Sequence, residues 1–287
     1  MFCELFGYSK QAYYKQSMNN SLSAIKELQV KESVLLIRRQ MPRIGTRKLY
    51  YLLKEEFQRE QLNIGRDKLF SILRNEGLLI LKKKKYTVTT NSKHWMFKYP
   101  NLIKDIAIIR PEQVWVSDIT YIDTRDENAY LHLITDAYSK QVMGYELCSD
   151  MESSSTLKAL QMALKNRKYK HQPLIHHSDR GLQYCSKLYT NLLKKNNIQI
   201  SMTENGDPYE NAVAERINGI LKDEFGLGEQ MENIEQAKHQ TSQSISIYNT
   251  LRPHLSCQML TPTQMHCQKK IKLKTWNKKT SNILVNV

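Results

Sequence analysis

The sequence is poor in cysteine, and its five cysteines form no recognisable pair. No two of them are spaced as C-x-x-C, and their number is odd. Such a set is typical of reduced thiols in a cytosolic protein and excludes a disulfide-stabilised scaffold. A zinc set can still be written from four late residues. Its spacing matches no common zinc finger, so zinc is the less favoured alternative for His254, Cys257, His266 and Cys267.

Long apolar runs are also missing. No segment approaches the roughly 18 uncharged apolar residues that a membrane-spanning helix needs, and no signal-peptide pattern opens the chain. We therefore expect a soluble, cytoplasmic protein without a membrane-embedded part.

Acidic residues are scarce beside basic ones. The chain has 28 Asp and Glu against 43 Lys and Arg, a formal net charge of +15. This excess indicates a polyanionic partner, most simply DNA or RNA, bound through phosphate contacts and counterion release. An anionic membrane surface is the rival partner, and the lack of a spanning segment disfavours it. We expect a protein associated with the nucleoid.

Two of the few acidic residues stand where strands are predicted. Asp118 lies in the middle of the β-branched and aromatic run 114–122, where burying an unpaired carboxylate is costly. Asp179 lies in a polar corner that contains glycine and that ends the short apolar run 173–175, so it is expected at the end of a strand. Both positions are explained if a metal ion or a partner meets the carboxylates.

A third acid, Glu215, lies on a predicted helix whose start is marked by Asp207 and Pro208. Lys222 is seven residues later and therefore shares its face. Asn211 and Asn218 lie on the same side, and the opposite side is apolar. Three carboxylates without a nearby histidine or thiolate suit Mg²⁺ or Mn²⁺ rather than zinc. Two such ions about 4 Å apart stabilise the attacking and leaving oxygens of a phosphoryl transfer.

The order Asp118, Asp179, thirty-five residues, Glu215, with Lys222 seven residues later, resembles the retroviral integrase and DDE transposase superfamily. The flanking sequence is closer to the OrfB-type transposases of bacterial insertion sequences. The resemblance covers about residues 40 to 268. The one visible departure is Cys257 at a packing position where leucine is usual. The matched motifs are W-x-x-D-[IL]-T-Y at 115–121, H-S-D-R-G-x-Q-Y at 177–184, G-x-P-Y-[DE]-N-A-x-x-E at 206–215 and Y-N-x-x-R-P-H…T-P at 248–262.

The patterns predict an α/β fold with a ribonuclease H-like catalytic core, a mixed five-stranded sheet with flanking helices, preceded by a small all-α helix-turn-helix region. In this architecture Asp118 is on the central strand, Asp179 ends its neighbour and Glu215 is on a helix against them. The predicted core elements are strands 114–123, 129–137 and 141–148, a helix over 153–166, a strand ending at 179, a helix over 187–196, a strand over 198–202, the Glu215 helix and a helix over 233–249.

Four regions are predicted: 1–40, helical and capped at Ser9; 41–100, a helix-turn-helix domain with a basic linker; 108–268, the integrase core; and 269–287, a basic tail. The first is expected to hold a short helix and a second helix over 21–41, and its beginning is either a partial helix-turn-helix or an ordinary amphipathic helix. Thr46 is expected to cap the helix that follows. In the second, a solvated hairpin and a solvated lysine loop are the alternatives to DNA contact. The candidate DNA contacts there are Arg66, Lys68, Arg74, Lys83 and Lys84.

The resemblance implies a DNA transposase that cleaves strands at the element ends and transfers them to a target. It implies two Mg²⁺ or Mn²⁺ ions per site, bridged by Asp118 and held singly by Asp179 and Glu215. Implied partners are double-stranded DNA, as terminal repeats and target, and further copies of the chain, at least a dimer. Near the site, the candidate DNA contacts are Lys222, Asn211, Arg180 and His177.

Two alternatives to this enzyme stay open. A nuclease of ribonuclease H type would use the same carboxylates but would hardly need helix-turn-helix modules. A non-catalytic protein that binds DNA ends or regulates is the second, active only when fused to the product of an upstream reading frame. Several residues have structural alternatives as well: His177 as a buried histidine, Asp136 as a structural acid, Asp123 and Asp207 as turn or cap residues, and Arg252 and His254 as packing residues.

Overall fold

The structure is a computed structural model that describes residues 7, 9–81, 97–104, 106–125, 128–150, 153–204, 211–268 and 271. The chain divides into two compact units, residues 1–85 and 86–287. Lys83, Lys84 and almost all of the basic tail lie outside the described residues.

The first unit begins with one long helix, α1, Lys10–Gln40. The Ser9 hydroxyl accepts a hydrogen bond from the Ala12 N–H at 3.1 Å, which confirms the expected cap. A short helix followed by a second one over 21–41 was expected, and this was wrong. No glycine or proline occurs between Lys10 and Gln40, so nothing interrupts the helix.

Two further helices complete the described part of this unit: α2, Thr46–Arg59, and α3, Arg66–Asn75. Each buries an apolar stripe. Two ion pairs join α1 to α3: Lys31 of α1 pairs with Glu76 at the end of α3, and Lys68 of α3 pairs with Glu27 of α1. Thr46 is the first helical residue rather than the cap, since the N-cap position is Gly45. The buried apolar residues of the two stripes are Leu49, Leu53, Phe57, Leu69, Ile72 and Leu73.

The second unit contains the predicted five-stranded mixed sheet, in the order β3-β2-β1-β4-β5. The first three strands are antiparallel neighbours, and β4 and β5 run parallel to β1. The order puts β1 in the centre, as a ribonuclease H-like fold requires. The strands are β1, Val114–Asp123; β2, Asn128–Asp136; β3, Val142–Cys148; β4, Leu174–Ser178; and β5, Ile198–Met202.

Helices cover both faces of this sheet. One core cluster joins Trp115 of β1 to residues of helix α4, Ser153–Asn166, and helix α6, Lys187–Lys195. Another joins Val114 and Val116 to Ala214 of helix α7, Ala212–Glu224. Neighbouring residues of β1 thus point to opposite faces, and Val114 and Val116 fix the side that faces α7. The helices are α4, Ser153–Asn166; α5, Leu182–Cys185; α6, Lys187–Lys195; α7, Ala212–Glu224; α8, Ile234–Thr250; and α9, Pro262–His266, with a 3-10 turn at Leu255–Cys257.

The start of α7 differs from the expectation. The helix begins at Ala212 with Asn211 in the N-cap position, not near Asp207 and Pro208, which lie outside the described residues. No helix in the described part of the chain is both long and apolar enough to span a membrane.

Candidate active site

Asp118 lies in the middle of the central strand and faces α7. Its Oδ2 accepts a hydrogen bond of 2.7 Å from Nδ2 of Asn218 on that helix. Burial and the charges of Asp179 and Glu215 together raise the pKa of the Asp118 carboxyl to about 7, against the Ile119 backbone N–H and Asn218, which lower it. The Asp118 carboxyl is therefore poorly hydrated and lies near two further acids.

Asp179 directly follows β4, the parallel neighbour of β1. The strands pair Val116 with His177, so Asp118 and Asp179 each stand two residues further along their strands. The Oδ1 of Asp179 accepts a hydrogen bond from the Gly181 N–H at 3.0 Å. A Cβ at Gly181 would lie 3.1 Å from the same oxygen, so the small residue leaves the carboxylate room.

Glu215 lies in the first turn of α7, where its N–H is bonded to the Asn211 carbonyl at 3.2 Å. The residue is exposed, and partial desolvation raises the pKa of its carboxyl. The helix thus presents Glu215 at the surface beside the central strand.

The three predicted acids are near enough for the charges of Asp179 and Glu215 to raise the pKa of Asp118, but they do not form a complete set of metal ligands. Among the residues that the structure describes, no three His, Cys, Asp or Glu side chains are close enough together to hold an ion. The donors nevertheless fit a hard divalent cation in their chemistry, because all three are carboxylates. A cation would also offset the repulsion that raises the pKa of Asp118.

Lys222 lies two turns after Glu215 and is half-buried. Its Nζ stands 4.4 Å from the centroid of the Tyr121 ring. Desolvation lowers the pKa of the Lys222 amine, while the charge of Asp118 opposes that shift. The lysine therefore approaches the acidic site from the end of β1, with an aromatic ring beneath its charge.

Two asparagines attach α7 to β1, and one of them was missed as a site residue. Asn211 and Asn218 are 7% and 6% exposed. Asn211 donates through Nδ2 to the Ser117 carbonyl at 3.2 Å, next to the contact of Asn218 with Asp118. The signal for Asn218 was its position on the face of Glu215. The Asn211 amide is buried against the strand, and its expected contact with DNA stays a prediction.

His177 is fully buried, and its Nδ1 lies 2.8 Å from the Ser201 hydroxyl of β5. Of the two expected alternatives for His177, the structure therefore shows the buried histidine, whose side chain is not exposed to solvent. Arg180, beside Asp179, is half-buried. In the first unit Arg66, Lys68 and Arg74 are exposed, and their contact with DNA stays a prediction.

Asp136 and Arg252, for which a structural role was one of the expected alternatives, are buried in hydrogen-bond networks. Asp136 is fully buried and accepts hydrogen bonds from the Glu112 N–H at 2.6 Å and from the N–H and hydroxyl of Ser139, both at 2.7 Å. Arg252 forms two 2.8 Å bonds to Glu224 and a third to His254.

Comparison with known proteins then places the chain in a family. Two models of the integrase core domain match residues 109–208 and 196–262. An uncharacterized 31 kDa protein of insertion element IS600 from Shigella sonnei is 33% identical over 257 residues, 88% of this chain and 92% of that protein. Transposase InsF of insertion sequence IS3A from Escherichia coli K12 is 34% identical over 194 residues, 67% of each chain. The chain belongs to the insertion-sequence transposases.

Other similarities are more partial. The transposase of insertion sequence element IS629 from Shigella sonnei is 33% identical over 178 residues, and the match spans 58% of its length. The magnesium-bound catalytic core domain of HTLV-2 integrase matches 55% of this transposase with a TM-score of 0.44 and 19% identity.

Membership identifies the chain as a DNA transposase with an integrase-type DDE core, a polynucleotidyl transferase. Enzymes with this core depend on divalent metal ions and bind DNA.

Proposed function

We propose that this transposase cleaves DNA strands at the ends of its insertion sequence and joins the freed 3′ ends to target DNA. Asp118, Asp179 and Glu215 are its catalytic carboxylates and the ligands for two Mg²⁺ or Mn²⁺ ions. The observation that supports this best is Asp118 in the centre of the sheet, with a pKa raised to about 7 by burial and by the charges of the other two acids.

Each of the three carboxylates would be supplied by a different element. Asp118 and Asp179 belong to neighbouring parallel strands, β1 and the end of β4, and α7 supplies Glu215. When bound, the ions would supply Lewis-acid stabilisation of the attacking and leaving oxygens of an in-line phosphoryl transfer. Lys222 is positioned to bind a phosphate near the reacting bond.

The DNA partner is double-stranded, as terminal repeats and as target, and the two ends require at least a dimer. We propose further contacts from Arg180 near the site, from Arg66, Lys68 and Arg74 on the first unit, and from Lys83 and Lys84 in the lysine run. The product of an upstream reading frame is a candidate partner or fusion for the active form.

The test is strand cleavage and joining on labelled DNA that carries the element's ends, with Mg²⁺ present. Glu215→Gln and Asp118→Asn should bind the ends like the wild type and lose cleavage by at least about 10³-fold, since each removes a charged ligand. Glu232→Gln, the same change at an exposed glutamate of the same unit, should retain activity. Cleavage only by a fusion with the upstream frame would make this chain part of a larger enzyme, and unchanged cleavage by Glu215→Gln would refute the assignment.

A further inference from the structure

The side chain of Asn218 has one identified polar contact, and it is with Asp118. The amide is buried, and its Nδ2 donates to Asp118 Oδ2 at 2.7 Å. Its Oδ1 has no hydrogen-bond partner within the described part of the chain. Because this single bond orients the amide, it also restricts rotation of the carboxyl group that accepts it.

A neutral donor is a suitable support for a carboxylate that must still bind something else. A lysine or arginine in this place would form an ion pair and offset the negative charge, whereas an amide fixes one oxygen and leaves the charge on the group. The bond occupies Oδ2 and leaves Oδ1 outside this contact. Partners that orient metal ligands in this way commonly decide how tightly the ion is held.

Asn211 provides a comparison on the same helix. It is as deeply buried as Asn218 and also donates to β1, but to the backbone carbonyl of Ser117 at 3.2 Å. Its Oδ1 likewise has no partner among the described residues. The two asparagines therefore join the same helix to consecutive residues of the same strand, and only Asn218 contacts a carboxylate.

We propose that Asn218 is a positioning residue that holds the Asp118 carboxylate in its metal-binding orientation. This rests on the proposed role of Asp118 as a metal ligand. Asn211, by contrast, fixes only the position of α7 against β1.

The test is direct binding of Mn²⁺ to the full chain, measured by electron paramagnetic resonance. It requires no catalytic activity. Asn218→Leu replaces the amide with an apolar group of similar size and so removes the hydrogen-bond donor. It should weaken Mn²⁺ binding by about 10- to 100-fold. Asn211→Leu removes an equivalent helix–strand bond and should change the affinity by no more than about threefold. Equal weakening in both variants, or none in Asn218→Leu, overturns the proposal.

A second measurement needs neither metal nor a folded Asn218 variant. In the metal-free wild type, the amide-proton resonance of the Asn218 side chain should be shifted downfield by its bond to a carboxylate, and Asp118→Asn should abolish the shift. An unshifted resonance overturns the proposal even where Mn²⁺ binds normally. If the resonance is shifted but the wild type binds no Mn²⁺, the hydrogen bond exists but Asp118 is not a metal ligand. Both the proposed function and the positioning role of Asn218 then fail.

Discussion

The Nζ of Lys222 lies 4.4 Å from the centre of the Tyr121 ring, where helix α7 passes the end of strand β1. The ring is 41% exposed, so the amine is held beside an aromatic face that is still open to a ligand. A cation over a ring is attracted by about 0.5 to 2 kcal/mol, depending on how far it is desolvated. Tyr121 thus restricts where the proposed phosphate-binding lysine can point.

We predict that Tyr121→Ala weakens binding of end DNA by about 2- to 30-fold, the equivalent of that interaction energy. Tyr121→Phe retains the aromatic face and should bind within about twofold of the wild type. Affinity for labelled end DNA at a fixed salt concentration is the measurement. If Phe loses as much as Ala, the hydroxyl and not the ring is what matters.

Arg252 and Glu224 form a buried, bidentate ion pair. Both nitrogen–oxygen distances are 2.8 Å, and the Arg252 side chain is 2% exposed. We predict that Arg252→Met lowers the free energy of unfolding by roughly 3 to 5 kcal/mol, because Glu224 loses both hydrogen bonds from the buried guanidinium. Urea denaturation measures the change.

An exposed ion pair gives the control for Arg252. Lys238 and Glu235 stand 2.9 Å apart on the surface of α8. Lys238→Met should cost no more than about 1 kcal/mol, as is usual for exposed pairs. Equal losses in the two variants would show that burial adds nothing to the Arg252 contact.

Gly144 of β3 lies directly against the backbone of α4. A Cβ at this position would lie 2.1 Å from the Ala159 carbonyl oxygen and 2.6 Å from the Ala163 nitrogen. Since both are backbone atoms, Gly144→Ala must displace the helix, and we predict a loss of about 1 to 3 kcal/mol in thermal or urea unfolding. Gly219→Ala, on α7 with nothing within 4 Å, should be neutral or stabilising.

Much of the core could be predicted because its strands and helices have clear patterns. The bounds of β1, β5 and α4 agree with the alternation and the 3.6-residue period in the sequence. The order of these elements then placed Asp118 on the central strand. Local periodicity was enough because each of these segments buries a regular apolar face.

What could not be predicted depends on contacts between distant segments. Helical spacing put Asn218 on the face of Glu215, but its partner Asp118 is 100 residues away, and only tertiary packing brings them together. His177 was ambiguous because a parallel strand is covered on both faces, so even polar residues of β4 are buried. The continuity of α1 was missed, since two helices were expected where one helix runs from Lys10 to Gln40.

His266 joins the last described helix to the core through two buried acids. Its Nε2 lies 3.2 Å from Glu112 Oε1, and its Nδ1 lies 2.9 Å from the Ser139 hydroxyl and 3.8 Å from Asp136 Oδ1. Burial lowers the pKa of His266, but the nearby carboxylates of Asp136 and Glu112 outweigh this effect and raise the pKa to about 9. The imidazolium form is therefore the one that the folded protein favours.

We predict that the free energy of unfolding falls as the pH rises from about 6.5 to 9. The folded pKa of His266 is above its usual value of 6.5, so the contribution is fully present below that value and is lost as the pH passes about 9. The loss is on the order of 3 kcal/mol, from the size of the shift. Urea denaturation across this range measures it. His266→Gln keeps hydrogen-bonding capacity without a titratable proton, so its stability should vary less with pH than that of the wild type. An equal slope in both proteins would show that the neutral imidazole serves the two acids as well as the cation does.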